Sequence, residues 1–258
     1  MFNNGADIIT FVDFANTLKT ELGSLTRFQN SKIIVDEISK IRKQEIKIEE
    51  VNDYHRYPIA DNDTPRLSSD RLEYTLSNGL GVRKKLWDLE EVREIYQNIE
   101  VQKNEDGIEE LGFKDISITE KFIKNMSTLS ISYMDSKTKL SMQFLADIIK
   151  KMYNQNLIKQ NDLYNLSEKE IIQKIENCKY DNISEIFKKW ENTTKIYESE
   201  NYQENKYCKS IRTKIRYINP LINDNGKYTR IDKISTKAKE EIQKCLNYKT
   251  LKYAYFDF

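Results

Sequence analysis

The sequence predicts a mainly α-helical fold with a small C-terminal β-hairpin or ribbon appendage, and three observations carry that prediction. No proline occurs between Pro65 and Pro220 and no glycine between Gly112 and Gly226, so the middle of the chain lacks the two strongest helix breakers. Apolar residues in that span recur at helical intervals. After about residue 200 the period changes to alternation, with turn residues between the alternating runs. The expected division is a helical body over residues 1–200 and a small basic β-ribbon plus helix over 201–258.

The elements follow in order. Asp88-Leu89-Glu90-Glu91 has the spacing of a capping box, and Leu89, Val92, Ile95, Tyr96 and Ile99 continue it at helical intervals. Ser117-Ile118-Thr119-Glu120 opens another helix. Leu140, Phe144, Leu145, Ile148, Ile149 and Met152 form one broad apolar stripe, the mark of a helix packed on a core. Ser167 with Glu170, and Asp181 or Asn182 ahead of Ile183, Ile186, Phe187 and Trp190, start two more. Tyr207 to Tyr217 reads as a strand whose even positions include Arg212, Lys214 and Arg216. Asn219-Pro220 and Asn223-Asp224-Asn225-Gly226 supply turns ahead of Lys227-Tyr228-Thr229-Arg230-Ile231, which predicts a hairpin. A helix near Thr236 to Leu246 and a last strand at Leu251 to Phe256 complete the chain. No solenoid-like repeat is present.

Composition narrows the function classes. Lysine plus arginine number 42 against 41 acidic residues, so no global charge argues for nucleic acid or an anionic membrane. Charge is local: residues 206–239 hold ten lysines and arginines against Asp224 and Asp232. That ribbon could meet phosphates through Arg212, Lys214 or Arg216, with Tyr207, Tyr217 and Tyr228 stacking on bases. The plainer reading is an exposed strand kept soluble and unpaired by its cations. Cys178, Cys208 and Cys245 are odd in number and outside metal-ligand spacing, which suits free thiols in a reducing, cytoplasmic compartment. Apolar runs are too short for a membrane span, and an N-terminal segment carrying Asp7 and Asp13 does not read as a signal peptide.

The densest chemistry lies in Asp53-Tyr54-His55-Arg56-Tyr57-Pro58-Ile59-Ala60-Asp61-Asn62-Asp63-Thr64-Pro65, which runs through Arg66-Leu67-Ser68-Ser69-Asp70-Arg71-Leu72-Glu73-Tyr74. It holds the only histidine and feeds a capped helix that sets Asp70 in its first turn. This run resembles the C-terminal metal-ligand segment of bacterial HD-domain phosphohydrolases. Lys214 to Leu221 and the terminal Tyr253 to Phe258 look like the tail of the same subgroup. The resemblance implies an HD-domain-like helical bundle. It also implies divalent metal held by histidines, a His-Asp doublet and a later aspartate, which activates water against a phosphoester. Asp70 matches the later aspartate, and Asp7, in Ala6-Asp7-Ile8, matches the acid of the doublet. Ala6 stands where the family has histidine, and the upstream helices that carry the first histidine have no counterpart in the sequence.

His55, Asp61 and Arg71 fall in the loop motif rather than at ligand positions, and the bland reading makes His55 a hydrogen-bonded loop residue. Asp61, Asp63 and Glu73 likewise read as turn formers, caps or surface partners, and Asp70 as a first-turn acid favoured by the helix dipole. Without imidazoles, Asp7 and Asp70 would hold at most a loosely bound, mostly hydrated Mg²⁺ or Mn²⁺. Two functions follow. One is an HD-type phosphohydrolase acting on a nucleotide or other phosphorylated small molecule, impaired or inactive for want of its histidines. The other is a non-catalytic helical module whose ribbon 206–239 contacts a nucleotide, nucleic acid or protein.

Overall fold

A computed structural model describes residues 35–48, 50, 56–81, 85–211 and 215–257. After a helical stretch at residues 35–42 comes α1 (Ser69–Leu80), whose N-cap Ser68 accepts the Arg71 amide. Helix α2 (Leu89–Asn98) carries the full capping box, Asp88 and Glu91 each accepting the other's backbone N–H. Strands β1 (Ile99–Lys103) and β2 (Glu109–Phe113) form a hairpin, and α3 (Ile116–Met134) starts where the Asp115 carboxylate accepts the amides of Ser117 and Ile118. Helix α4 (Ser136–Asn154) is capped by Asp135. A short α5 (Asp162–Asn165) leads to α6 (Glu168–Glu176), with the Ser167–Glu170 box, and α7 (Ile183–Asn192). Asp181 and Asn182 take the left-handed backbone ahead of α7, as short polar side chains tolerate. The remainder is β3 (Tyr197–Ser199), β4 (Tyr207–Lys209), β5 (Leu221–Asp224), β6 (Lys227–Arg230), α8 (Thr236–Asn247) and β7 (Tyr253–Phe256).

These elements correct the mainly α expectation. The strands make two sheets, one ordered β1-β2-β5-β6 and one ordered β3-β7-β4, so the fold is mixed α and β rather than an HD-domain-like helical bundle. The β1–β2 hairpin sits inside the span expected to be helical. Its alternation is inverted, since Gln102 and Glu110 are buried while Val101 is exposed, so the apolar residue does not mark the buried face. Of the strand expected at residues 207–217, the described residues form only β4, which joins a different sheet from β5 and β6. The hairpin at Asn225-Gly226 does form, both residues at positive φ, joining β5 to β6.

The chain divides into two compact units. A four-strand unit comprises residues 35–134 with 214–249, and a three-strand unit comprises residues 135–213 with 250–258. Residues 201–258 are thus distributed over both.

The four-strand unit packs α1, α2, α3 and α8 on its sheet around Phe113 and Phe122, whose ring centroids lie 5.2 Å apart. Trp87 lies parallel to Phe122 and donates its indole N–H to the Leu76 carbonyl at 2.9 Å. Gly79 makes this fit, since a Cβ there would fall 2.2 Å from the indole nitrogen. In the three-strand unit Phe144 is the hub, its ring meeting Trp190, Tyr207 and Phe256 at centroid distances of 5.3, 5.1 and 5.7 Å.

Candidate functional site

The sheet of the four-strand unit positions the loop that the sequence marks out. Leu67 bridges to Leu111 of β2, and the Asn219 amide, just ahead of β5, donates to the Pro65 carbonyl at 2.8 Å. Arg66 pairs with Asp106 at 2.6 Å in the β1–β2 turn and approaches buried Glu110 at 3.8 Å. Glu110 in turn is held by Arg230 of β6 at 2.6 Å, and Arg230 also reaches Glu105. Burial alone would depress the Arg230 guanidinium, but its two carboxylate partners raise it.

The loop folds back on the start of α1. Ser69 donates its amide to the Ile59 carbonyl at 2.8 Å and Asp70 donates to Ala60 at 3.1 Å. Asn62 is buried, its Nδ2 donating to the carbonyls of Pro58 and Leu67. The Arg71 guanidinium donates to Asn62 Oδ1 at 2.8 Å, to the Arg66 carbonyl at 2.5 Å and to the Asn62 carbonyl.

This closure brings Asp61 near enough to Asp70 for its charge to be felt there. The Asp70 carboxyl is raised above the ordinary aspartate range, first by burial and next by the Asp61 charge, against the opposing pull of Arg71 and Arg216. No described group donates a hydrogen bond to it. Tyr74 stands one helical turn on from Asp70, its hydroxyl pushed up by burial and pulled down by Arg216 and Arg71. The surface therefore combines two neighbouring carboxylates, a tyrosine and the exposed Arg216.

Of the residues singled out in the sequence, Asp61, Asp70, Arg71 and Arg216 come together here. Asp7, His55, Arg212 and Lys214 lie outside the described residues. Tyr74 and Asn62 went unrecognised as members of the group, although the Asp70–Tyr74 spacing of four places both on one helix face. Among the described residues no group of three or more His, Cys, Asp or Glu side chains gathers as a metal cage.

The basic ribbon changes character in three dimensions. Lys206 pairs with Asp257 at 2.5 Å, Lys209 with Asp147 at 2.6 Å, Arg230 with Glu110, and Lys237 with Glu120 at 3.4 Å. Tyr207 is no platform for a base: its ring packs against Phe144 and Phe256 and its hydroxyl donates to Asp147 at 2.8 Å. Among the described residues no helix is long and apolar enough to cross a membrane. No known protein family, curated protein or solved structure matches the chain.

Proposed function

We propose that the chain is a phosphohydrolase-like protein whose surface at Asp61, Asp70 and Arg216 holds a weakly bound divalent cation together with a phosphate ester. Turnover on this reading is impaired or absent. The observation that carries it is the exposed Asp70 carboxylate in the first turn of α1, raised above its ordinary pKa by partial burial and by the charge of Asp61. A carboxyl whose pKa is shifted by a like charge is a candidate for binding a cation. Asp61 and Asp70 would hold Mg²⁺ or Mn²⁺, and the bound ion would neutralise phosphate oxygens. Arg216 supplies a fixed positive charge on the same surface. The motif resemblance supports the phosphoester class; the two sheets lend it nothing, since they replace the bundle that the resemblance implies.

The proposal includes a cytoplasmic setting, supported by three cysteines that are all free and buried. The alternative, a module reading nucleic acid through residues 206–239, loses support because four of the cations there are committed to carboxylates.

The test is Mn²⁺ binding followed by electron paramagnetic resonance, with phosphatase assays on nucleotides and generic phosphoesters. Expected are one weak Mn²⁺ site that disappears in Asp70→Ala and hydrolysis close to background. Wild-type protein that binds no Mn²⁺, or hydrolysis that survives Asp70→Ala, would sink the reading.

A further inference from the structure

The three-strand unit is assembled from two pieces of chain, the continuous stretch 135–213 and residues 250–258. The second piece supplies one element, β7, and β7 is the central strand, with β3 on one side, β4 on the other and no pairing between those two. Its inward side chains belong to the core: Ala254 and Phe256 are buried, and the Phe256 ring lies 5.7 Å from that of Phe144 and 5.8 Å from that of Tyr207. On the outer side Tyr255 stacks on Tyr197 with centroids 5.4 Å apart. Three further bonds flank the strand, from the Leu251 amide to Glu198 at 3.2 Å, from Lys139 to Thr250 at 2.9 Å and from Lys206 to Asp257 at 2.5 Å. Every one of these partners of residues 250–258 lies within 135–213.

A slot built from one continuous stretch receives the same strand equally well from either of two copies. It asks for a small residue and a phenylalanine on the inner side and tyrosines on the outer side, the pattern that this chain carries at Tyr253–Phe256. Residues 248–252, which join the strand to α8 of the four-strand unit, lie in no helix or strand, so they can redirect β7 without breaking another element. We propose that two copies of this chain exchange β7 reciprocally, the Tyr253–Phe256 strand of each filling the slot between β3 and β4 of the other, to give a closed two-fold dimer. The exchanged and unexchanged forms make the same pairings within the slot, so protein concentration sets their ratio. Passage from one to the other opens the core at Phe144, so each form persists once made.

Refolding of the full chain from urea at low and at high protein concentration, read by size exclusion with light scattering, tests it. Monomer is expected from dilute refolding and a species of doubled mass from concentrated refolding, and that dimer should survive later dilution. Incubating native protein at high concentration in urea below its unfolding midpoint serves equally, with the same outcomes. Monomer at both concentrations overturns the proposal, and so does a dimer that falls apart promptly on dilution, which is an ordinary surface contact. A second measurement locates the strand. Ser199 and Tyr253 are direct partners across β3 and β7. A chain carrying Ser199→Cys, refolded at high concentration with one carrying Tyr253→Cys, should yield a disulfide-linked heterodimer on mild oxidation. The double variant Ser199→Cys/Tyr253→Cys, refolded dilute, closes the same bond within one chain and checks the geometry. A double variant that closes its bond while the mixed single variants stay unlinked places the dimer contact elsewhere and overturns the proposal.

Discussion

The two units solve the same problem, a sheet covered by helices, and treat their carboxylates in opposite ways. In the three-strand unit Asp147 accepts from Tyr207, Lys209 and Gln143, and Asp257 accepts from Lys206. Its core is aromatic, with Phe144 at the centre. The four-strand unit buries charge, with Glu110 wholly enclosed against Arg230, yet in the first turn of α1 it leaves Asp70 exposed and without a described donor. The acids that stabilise are neutralised by partners, whereas Asp70 is left to solvent.

The largest effect should come from the aromatic hub. Phe144→Ala empties the centre of the three-strand core and is expected to cost about 4 kcal/mol. The two tryptophans are divided between the units, Trp87 in one and Trp190 in the other. Unfolding followed in Trp87→Phe and Trp190→Phe backgrounds should show the loss chiefly in the Trp190 signal. Equal shifts in both signals would mean that the two units unfold as one cooperative block, and the contrast between them would lose its energetic meaning.

Next in size is Glu110→Gln, which leaves buried Arg230 with Glu105 at the rim as its one carboxylate partner and is expected to cost about 3 kcal/mol in urea unfolding. A cost below about 1 kcal/mol would reduce the buried pair to an ornament of the sheet.

The smallest effects carry opposite signs. Burial pushes the Asp147 carboxyl up, but the bonds from Lys209, Tyr207 and Gln143 outweigh it and hold the group below its ordinary value. Its stabilisation is therefore present above the unfolded-state value and fades as pH falls through the folded one. Asp147→Asn should cost about 1–2 kcal/mol at neutral pH and progressively less in acid. Asp70 has the reverse shift, so its charged form weighs against folding at neutral pH and that burden lifts as the group takes up its proton. Asp70→Asn should raise the neutral-pH melting temperature, by less than about 1 kcal/mol in stability, with the gain vanishing in acid. A loss at neutral pH would return Asp70 to the role of an ordinary first-turn acid.

What could be read from the sequence was whatever depends on near neighbours. The Asp88–Glu91 and Ser167–Glu170 boxes, the Asn225-Gly226 turn and α8 all follow from residues within one turn of each other. The β1–β2 hairpin was hidden because Gln102 and Glu110 are buried polar residues whose partners, Phe113 and Arg230, lie 11 and 120 positions away. The pairing of Lys206 and Arg230 was hidden for the same reason, since their acids stand 51 and 120 residues off. At the candidate site, the place of Asp70 on a capped helix could be read directly. That Asp61 and Arg216 converge on it could not, because only the closure of loop and sheet brings them there.

One further consequence concerns synthesis. In the sheet ordered β3-β7-β4 the central strand is the last of the three to be made, and neither β3 nor β4 pairs with the other. As the chain leaves the ribosome, Tyr197–Ser199 and Tyr207–Lys209 must wait, edges exposed, for Tyr253–Phe256 to arrive between them. A stop codon placed after residue 249 would delete the one strand on which that sheet depends.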